Sequence, residues 1–183
     1  AVFHDGRIEV LSDNTIRTLD SGFGETDFAA INLVQAQALF PVTSAEEMRA
    51  EFMKGESNDL LRKGISDRFI NQEIGNLWYE EFVSAFNSTA PVEKLLTMEN
   101  ISLAISEYER SQTFVNNNWR RYVNGDDTVI SESAKRGAKL FYQSVEQGGS
   151  ACINCHSGDF FTDEQHHVLA FPQVGRGKGD GNT

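Results

Sequence analysis

Apolar side chains return every three to four residues along several stretches of the chain, the spacing that places them on one face of a helix. The longest such stretch begins near Asp67, a residue suited to cap a helix, and ends at Phe86. Its apolar members are Phe69, Ile70, Ile74, Leu77, Trp78, Phe82 and Phe86. The pattern predicts an amphipathic helix that buries this face in the middle of the chain.

Start and stop signals predict two shorter helices before that stretch. Ser44 and Glu47 have the spacing of a capping box, so we expect a helix over residues 45–54. Another short helix is expected over residues 58–63, ending at Gly64.

Two more helices are predicted in the second half of the chain, and extended structure is sparse. Thr97 caps a helix with a shared apolar face formed by Ile101, Ala104, Ile105 and Tyr108. Ser131 caps another, in which we expect inward packing by Ala134, Gly137, Ala138, Leu140 and Phe141. Residues 8–16 predict a short strand or hairpin arm, and Leu19–Asp27 a loop. The fold class is therefore mostly α, with a few short extended segments.

The composition is that of an acidic protein with enough apolar residues for a core. The chain has 183 residues, 39% of them hydrophobic, which suits one domain or two small ones. Its net charge of −11 disfavours nucleic acid and anionic membranes and would suit a basic protein partner. The sequence predicts no membrane span, since it contains no uninterrupted apolar run long enough to cross a bilayer.

The strongest chemical signal is a pair of cysteines followed directly by a histidine. Cys152 and Cys155 are the only cysteines of the chain, and His156 follows the second. This is the attachment pattern for a c-type haem, in which each thiol forms a thioether to the porphyrin and the histidine binds iron. The fold expected around it is c-type cytochrome-like.

Three other interpretations of these cysteines stay open from the sequence. A redox disulfide usually lies near a βαβ pattern, which the flanking sequence lacks. A zinc site needs four ligands, and Cys152, Cys155 and His156 with either His166 or His167 could supply them. Two free thiols beside an unrelated histidine are the third alternative.

Four stretches, in their order and spacing, resemble the bacterial di-haem cytochrome c peroxidases and the related MauG group. Residues 3–7 are similar to the family's Phe-Trp-Asp-Gly-Arg segment. Residues 37–48 are similar to a family segment with the pattern Gln-Ala-x-x-Pro-x-x-x-Pro-x-Glu-Met. Residues 135–163 resemble the second haem motif with its flanks, and residues 166–177 the loop that follows it.

The resemblance implies two c-type haems in two domains, one reacting with peroxide and the other accepting electrons. Residues 1–125 would belong to the peroxidatic side, and residues 126–183 would begin the second haem domain. The present motif resembles the electron-accepting haem. The first motif would then precede Ala1 and the second axial ligand would follow Thr183, so this chain alone is not expected to turn over peroxide.

The resemblance also implies catalytic roles for two residues. Glu47 matches the family glutamate over the peroxide site, where a carboxylate can move a proton between the two oxygens of peroxide. Gln37 matches a glutamine near the same face, and Pro41 fits the loop that shapes the pocket. The plainer alternative for Glu47 is that it only closes the capping box. His4 stands where the family has the Trp between its haems, and about twenty extra residues lie between Arg7 and Gln37.

The function implied is a peroxidase that reduces hydrogen peroxide with electrons passed through haem c. The expected partners are hydrogen peroxide and a small donor protein of the cytochrome c or cupredoxin type, in the periplasm. The sequence leaves open whether the protein binds calcium and whether it forms a homodimer. The alternatives are a mono-haem electron-transfer module and a MauG-like oxidase of a protein side chain.

Overall fold

The computed structural model describes residues 3, 6, 8–18, 30–71, 75–165 and 167–170. His4, His166 and the loop Leu19–Asp27, about which the sequence makes predictions, lie outside these ranges. The α-helices are Leu33–Ala38 (α1), Asn58–Asn71 (α2), Gly75–Phe86 (α3), Val92–Leu95 (α4), Met98–Ser111 (α5), Asn118–Val123 (α6) and Glu132–Tyr142 (α7). With a single two-stranded sheet among the described residues, the mostly α prediction is confirmed.

The predicted extended segment is an antiparallel hairpin. Strand β1, Ile8–Val10, pairs with strand β2, Ile16–Thr18. Glu9 and Arg17 form an ion pair across the two strands. Ile8 is fully buried, so one face of this hairpin contributes to the hydrophobic core.

The chain divides into two compact units, and within the described residues the division falls between Ser111 and Gln112. Helix α6 therefore groups with the haem motif in the second unit. The assignment of residues 1–125 to a peroxidatic domain stays a prediction.

Polar side chains join α1 to α5 inside the first unit. The side-chain amide of Gln35 donates to the carbonyl of Glu99 at 3.1 Å and lies 3.5 Å from the hydroxyl of Ser102. The Ser106 hydroxyl donates to the side-chain oxygen of Asn32 at 2.9 Å, and that oxygen also caps α1. Buried polar atoms need such partners, so these serines occupy core positions as hydrogen-bonding groups.

The predicted apolar face of α5 is therefore wrong in part. Thr97 does cap the helix, because its hydroxyl accepts from the N–H of Asn100 at 3.3 Å. Ile101 is buried as expected, but Ile105 and Tyr108 are 39% and 67% exposed. The face of α5 that carries Ser102 and Ser106 is the one turned toward α1. Ile105 and Tyr108 lie on other parts of the helix surface and remain exposed.

Leu96 lies at the centre of the core in the first unit and is 0% exposed. Leu96→Ala removes buried methyl groups and leaves a cavity, so we expect the free energy of unfolding to fall by about 3 kcal/mol. Leu77→Ala is the matched control, because Leu77 is 65% exposed and should cost less than about 0.5 kcal/mol. Urea unfolding followed by circular dichroism measures both, and equal losses would contradict this account of the core.

The helix predicted over residues 45–54 is wrong. Ala45–Arg49 form a single π-helical segment, followed by turns. The Ser44 hydroxyl bonds the carboxylate of Glu46 at 3.1 Å and does not cap the segment. The capping box with Glu47 is therefore absent, and the chain leaves the segment at Ala50 with a φ of 46°.

Gly64 does not end a helix, as the sequence predicted, but lies inside α2. A Cβ at this position would lie 2.5 Å from the sulfur of Met53 and 3.3 Å from the ring of Phe52. The glycine is explained by this close approach of the turn at residues 51–55 to the helix.

The long helix predicted from Asp67 to Phe86 is two helices, α2 and α3. Asp67 lies within α2, where it pairs with Lys63 at 2.6 Å, and therefore does not cap a helix. Phe82 is buried as predicted, but Trp78 is 41% exposed. The ring centres of Phe69 in α2 and Trp78 in α3 are only 5.6 Å apart, although nine residues of one continuous helix would rise about 13 Å.

The second unit is built differently from the first, because none of the residues described between 112 and 170 is buried. Helix α7 begins as predicted, with the Ser131 hydroxyl accepting from the N–H of Ala134 at 3.2 Å. Its apolar residues nevertheless remain partly or fully exposed. Protein atoms alone thus give this unit no dry interior.

An acidic turn joins α6 to α7. The carboxylate of Asp126 accepts from the Thr128 hydroxyl at 2.8 Å and pairs with Arg121 at 2.7 Å. The Thr128 side chain, followed by Arg121, holds the pKa of Asp126 below its usual value of 3.8. Because the folded pKa is depressed, this contribution to stability is present above pH 3.8 and is lost as the pH falls through the folded pKa.

Thr128→Val removes the largest contribution, so we expect the pKa of Asp126 to rise toward 3.8. A carboxyl NMR titration measures it. Thr113→Val, at an exposed position outside this turn, is the control and should leave the pKa of Asp126 unchanged. An unchanged pKa in Thr128→Val would contradict the assigned cause.

Candidate haem site

The two cysteines and the histidine lie on one tight turn. Cys152–Asn154 form a 3₁₀ turn that Ala151 enters with a φ of 51°. The N–H groups of Cys155 and His156 both donate to the carbonyl of Cys152, at 3.2 and 2.9 Å. Both cysteines are free and half-buried. The turn thus fixes the two thiols and the imidazole as one rigid group, with the sulfurs unpaired and able to react.

The ring of His156 is oriented through its Nδ1 atom. Nδ1 lies 3.1 Å from the carbonyl oxygen of Phe161, which can only accept a hydrogen bond. In the neutral imidazole the proton is therefore on Nδ1, and Nε2 keeps its lone pair. A ligating histidine normally has this second hydrogen bond, because it fixes the tautomer and the ring direction.

A loop returns to the turn and supplies that carbonyl. The N–H of Asp163 donates to the carbonyl of Cys155 at 2.9 Å, and the N–H of Thr162 to that of Ser157 at 2.8 Å. Phe161 is held with a φ of 53°. The loop over residues 157–163 therefore positions the hydrogen-bond partner of His156 through its backbone.

Aromatic side chains line an open apolar groove beside the turn. The rings of Phe141 and His156 are 6.3 Å apart, and Phe161 meets Phe141 edge-on at 5.9 Å. Trp119 stacks on Tyr142 at 5.7 Å. The groove has a volume of about 360 Å³ and is lined by Trp119, Ile130, Ala134, Gly137, Ala138, Phe141, Tyr142 and Phe161.

These residues fit haem c. Two unpaired thiols, an imidazole with Nε2 left for a metal and an apolar aromatic groove are what a covalently attached porphyrin requires. A porphyrin beside the turn would also cover apolar side chains that the described residues of this unit leave exposed.

In the part of the chain that it describes, the structure does not bring together the zinc ligands that the sequence allowed. Among the described residues, the donor atoms that lie within 4.8 Å of one another belong to Cys155, Asp163 and His167, without Cys152 or His156. His167 instead bonds the carboxylate of Asp163 at 2.7 Å. The N–H of Gln165, followed by His167, lowers the pKa of Asp163. This geometry does not bring together the four predicted zinc ligands.

Glu47 lies in the π-helical segment of the first unit and is exposed. Gln37 is half-buried in the last turn of α1. Two backbone hydrogen bonds connect these segments: Phe40 N–H to the Gln37 carbonyl at 3.1 Å, and Met48 N–H to the Pro41 carbonyl at 3.1 Å. Single π-helical turns are frequent at functional sites. The sequence signals missed this turn, and the catalytic roles of Glu47 and Gln37 stay predictions.

Comparison with known proteins identifies the family. A family model described as di-haem cytochrome c peroxidase matches residues 1–128 of the chain. The chain belongs to this family. The matched part precedes Cys152, so the family assignment and the geometry of the haem turn are independent observations that agree on haem.

The relatives of this family member include two kinds of protein. Methylamine utilization protein MauG of Methylophilus methylotrophus is 28% identical over 148 residues, covering 80% of this chain and 37% of that protein. Cytochrome c551 peroxidase of Pseudomonas aeruginosa is 28% identical over 109 residues, covering 59% of this chain and 29% of that protein. Cytochrome-c peroxidase IdrP1 of a Pseudomonas species is 30% identical over 99 residues, covering 52% and 23%.

The matched part of the chain spans between about a quarter and two fifths of the length of these curated relatives. None of the solved structures matches it. Among the described residues, no helix of this family member is both long and apolar enough to cross a membrane.

Proposed function

We propose that this chain is part of a peroxidase that reduces hydrogen peroxide to water, and that haem c held by Cys152, Cys155 and His156 carries the electrons. The observation that supports it best is the hydrogen bond from His156 Nδ1 to the Phe161 carbonyl, 3.1 Å, beside two unpaired thiols. When bound, the haem supplies a redox-active iron that the protein itself lacks. The membership in the di-haem peroxidase family supports the same chemistry.

The residues of the second unit hold and orient this group. Cys152 and Cys155 would anchor it at two points, and His156 would present Nε2 to the metal. Phe141 and Phe161 place apolar surface beside the imidazole, with ring separations of 6.3 and 5.9 Å along the series His156–Phe141–Phe161. A drier, more apolar setting is one of the factors that set the reduction potential.

Glu47 is proposed as the acid–base group at the peroxide site. Its carboxylate would accept a proton from one oxygen of peroxide and return it to the departing oxygen. Its exposed position on a π-helical segment leaves it accessible to a small substrate. Gln37 would hydrogen-bond the bound oxygen species or a water beside it.

The proposal includes a small electron-donor protein, of the cytochrome c or cupredoxin type, and a location in the periplasm. The support for the location is chemical, since covalent haem is normally attached outside the cytoplasm. Calcium binding and the formation of a homodimer stay predictions.

Counting the haems tests the proposal directly. A pyridine haemochrome spectrum with intact mass of the full-length protein should give two covalent haems for each polypeptide. Peroxide should then be consumed with oxidation of a reduced donor in a ratio of one peroxide to two electrons. One haem without peroxide consumption would replace the proposal with the mono-haem electron carrier.

The MauG relatives favour a second candidate, oxidation of a protein side chain. MauG of Methylophilus methylotrophus aligns over 148 residues, more than the 109 of cytochrome c551 peroxidase. This function would consume peroxide while a protein partner, and no small donor, becomes oxidised. Mass spectrometry of the protein partner after peroxide treatment separates the two candidates.

A further inference from the structure

The cationic residues of the second unit are concentrated in one part of its sequence. Between residues 112 and 173 the cations are Arg120, Arg121, Lys135, Arg136 and Lys139, and all of them lie in or beside α6 and α7. Residues 140–173 contain acidic side chains and no Lys or Arg. In a chain with a net charge of −11, this local excess of positive charge stands out.

Three of these cations line one shallow cavity. Its volume is about 490 Å³, and its lining is Tyr122, Lys135, Arg136, Ala138, Lys139 and Tyr142. The ammonium of Lys135 lies 5.8 Å from the ring centre of Tyr122 and bonds Glu132 at 2.7 Å. We call this surface the basic face. Its cations stand on adjacent turns of a helix, so they present their charge together.

Two cations of the basic face are available to a partner. Arg120 and Arg121, outside the cavity, pair with Asp159 and Asp126 at 2.7 Å each. Arg136 and Lys139 are exposed, and within the described part of the chain neither forms an ion pair. Among the described residues, no carboxylate pairs with either of these two cations.

The basic face lies next to the haem site. Ala138 and Tyr142 line both the basic face and the aromatic groove. The ring of Tyr142 lies 5.4 Å from that of Phe141, which is 6.3 Å from His156. A protein seated on the basic face would thus be separated from the imidazole by two aromatic rings.

We propose that the basic face docks an acidic patch on the small redox protein that reduces the haem of this unit. The inference rests on the proposed function and adds the chemistry of the partner. In each encounter one electron leaves the reduced metal of the donor and reaches the ferric iron, which becomes ferrous; no bond is made or broken. A basic donor, which the overall charge alone would favour, is the competing outcome.

Charge complementarity of this kind acts mainly on the rate of association. Oppositely charged surfaces raise association rates by about ten-fold to a thousand-fold at low ionic strength, and salt screens the effect beyond about 10 Å at 0.1 M. Changing the charge of two exposed cations should therefore alter the rate with an acidic donor and leave the rate at high salt nearly unchanged.

The test uses haem-loaded full-length protein and one probe in two charge states. The probe is reduced mitochondrial-type cytochrome c, either native and basic or succinylated and acidic. Stopped-flow spectroscopy gives the second-order rate of haem reduction from about 10 to 500 mM salt. We expect Arg136→Glu with Lys139→Glu to slow the acidic probe by about ten-fold at low salt, with the difference lost at high salt.

Two matched variants separate docking from folding. Arg136→Lys with Lys139→Arg keeps the charge and should keep the wild-type rate. Lys54→Glu with Lys94→Glu makes the same charge change in the first unit and should slow the acidic probe less than two-fold. A native basic probe that reacts faster than the acidic one, or an equal effect of both charge-reversal pairs, would overturn the proposal.

Failure of the proposed function has a separate readout. Ascorbate and a small mediator reduce an attached haem without protein docking, and peroxide turnover with that mediator does not involve the basic face. Loss of either response would count against the peroxidase proposal. A normal response with no effect of Arg136→Glu and Lys139→Glu would count against the docking inference alone.

Discussion

Replacing Cys152 and Cys155 with serine in the full-length protein will remove the haem of the second unit and unfold that unit while leaving the first one folded. The reason is the absence of buried side chains among the described residues from 112 to 170. Apolar residues of helix α7, together with Trp119 and Phe161, line an open groove of about 360 Å³. Without a porphyrin this apolar surface meets water, and the few contacts that remain do not offset the conformational entropy of the unit.

Three measurements check this expectation. Intact mass should be lower by one haem, and the haemochrome absorbance should fall by half if two haems are present. Hydrogen exchange should become fast in α7 but stay slow at Leu96 and Ile101 in the first unit. Asn154→Ala is the matched control, because it changes an exposed residue of the same turn and keeps both thiols. Slow exchange in α7 of the serine variant would show that the unit does not need the cofactor.

Glu47→Gln in the full-length protein should lower peroxide turnover by two to four orders of magnitude, the usual contribution of a positioned acid–base group. Glutamine keeps the size and polarity of the side chain but cannot take up and return a proton. Because Glu47 is exposed and does not form the capping box, the substitution should leave the folding free energy within about 0.5 kcal/mol of wild type.

Glu46→Gln is the control for that experiment, since Glu46 belongs to the same π-helical segment and bonds Ser44. Stopped-flow peroxide consumption with excess mediator measures both variants. A loss of less than three-fold in Glu47→Gln, or the same loss in Glu46→Gln, would remove Glu47 from the catalytic role.

The second half of the chain was the more predictable part. The Cys152–His156 motif is local in sequence, and the structure holds it in one turn. Ser131 caps α7 as predicted, because a capping bond spans only three residues. What the motif could not reveal is the hydrogen bond from His156 to the Phe161 carbonyl, which depends on a loop returning through backbone contacts.

The first unit was predicted less well, for reasons that lie in long-range contacts. Ser102 and Ser106 are buried because Gln35 and Asn32, far away in sequence, need hydrogen-bond partners. A prediction based on the spacing of apolar residues assigns serines to the exposed face, so it could not identify these buried positions. The Ser44 and Glu47 spacing suggested a cap, yet the segment adopts a π-helical turn tied to Pro41 through Met48.

The contact between Gly64, inside α2, and Met53 makes this part of the protein sensitive to methionine oxidation. The sulfur of Met53 fits against Gly64 so closely that a single methyl carbon there would lie 2.5 Å away. An oxygen atom added to that sulfur by a stray oxidant would need space that the helix backbone does not leave. The Met53 side chain would have to swing away from Gly64, which would disturb its packing against α2. Peroxide would thus loosen the turn that follows the segment of Glu47, the proposed acid–base residue, and a methionine sulfoxide reductase would reverse the change.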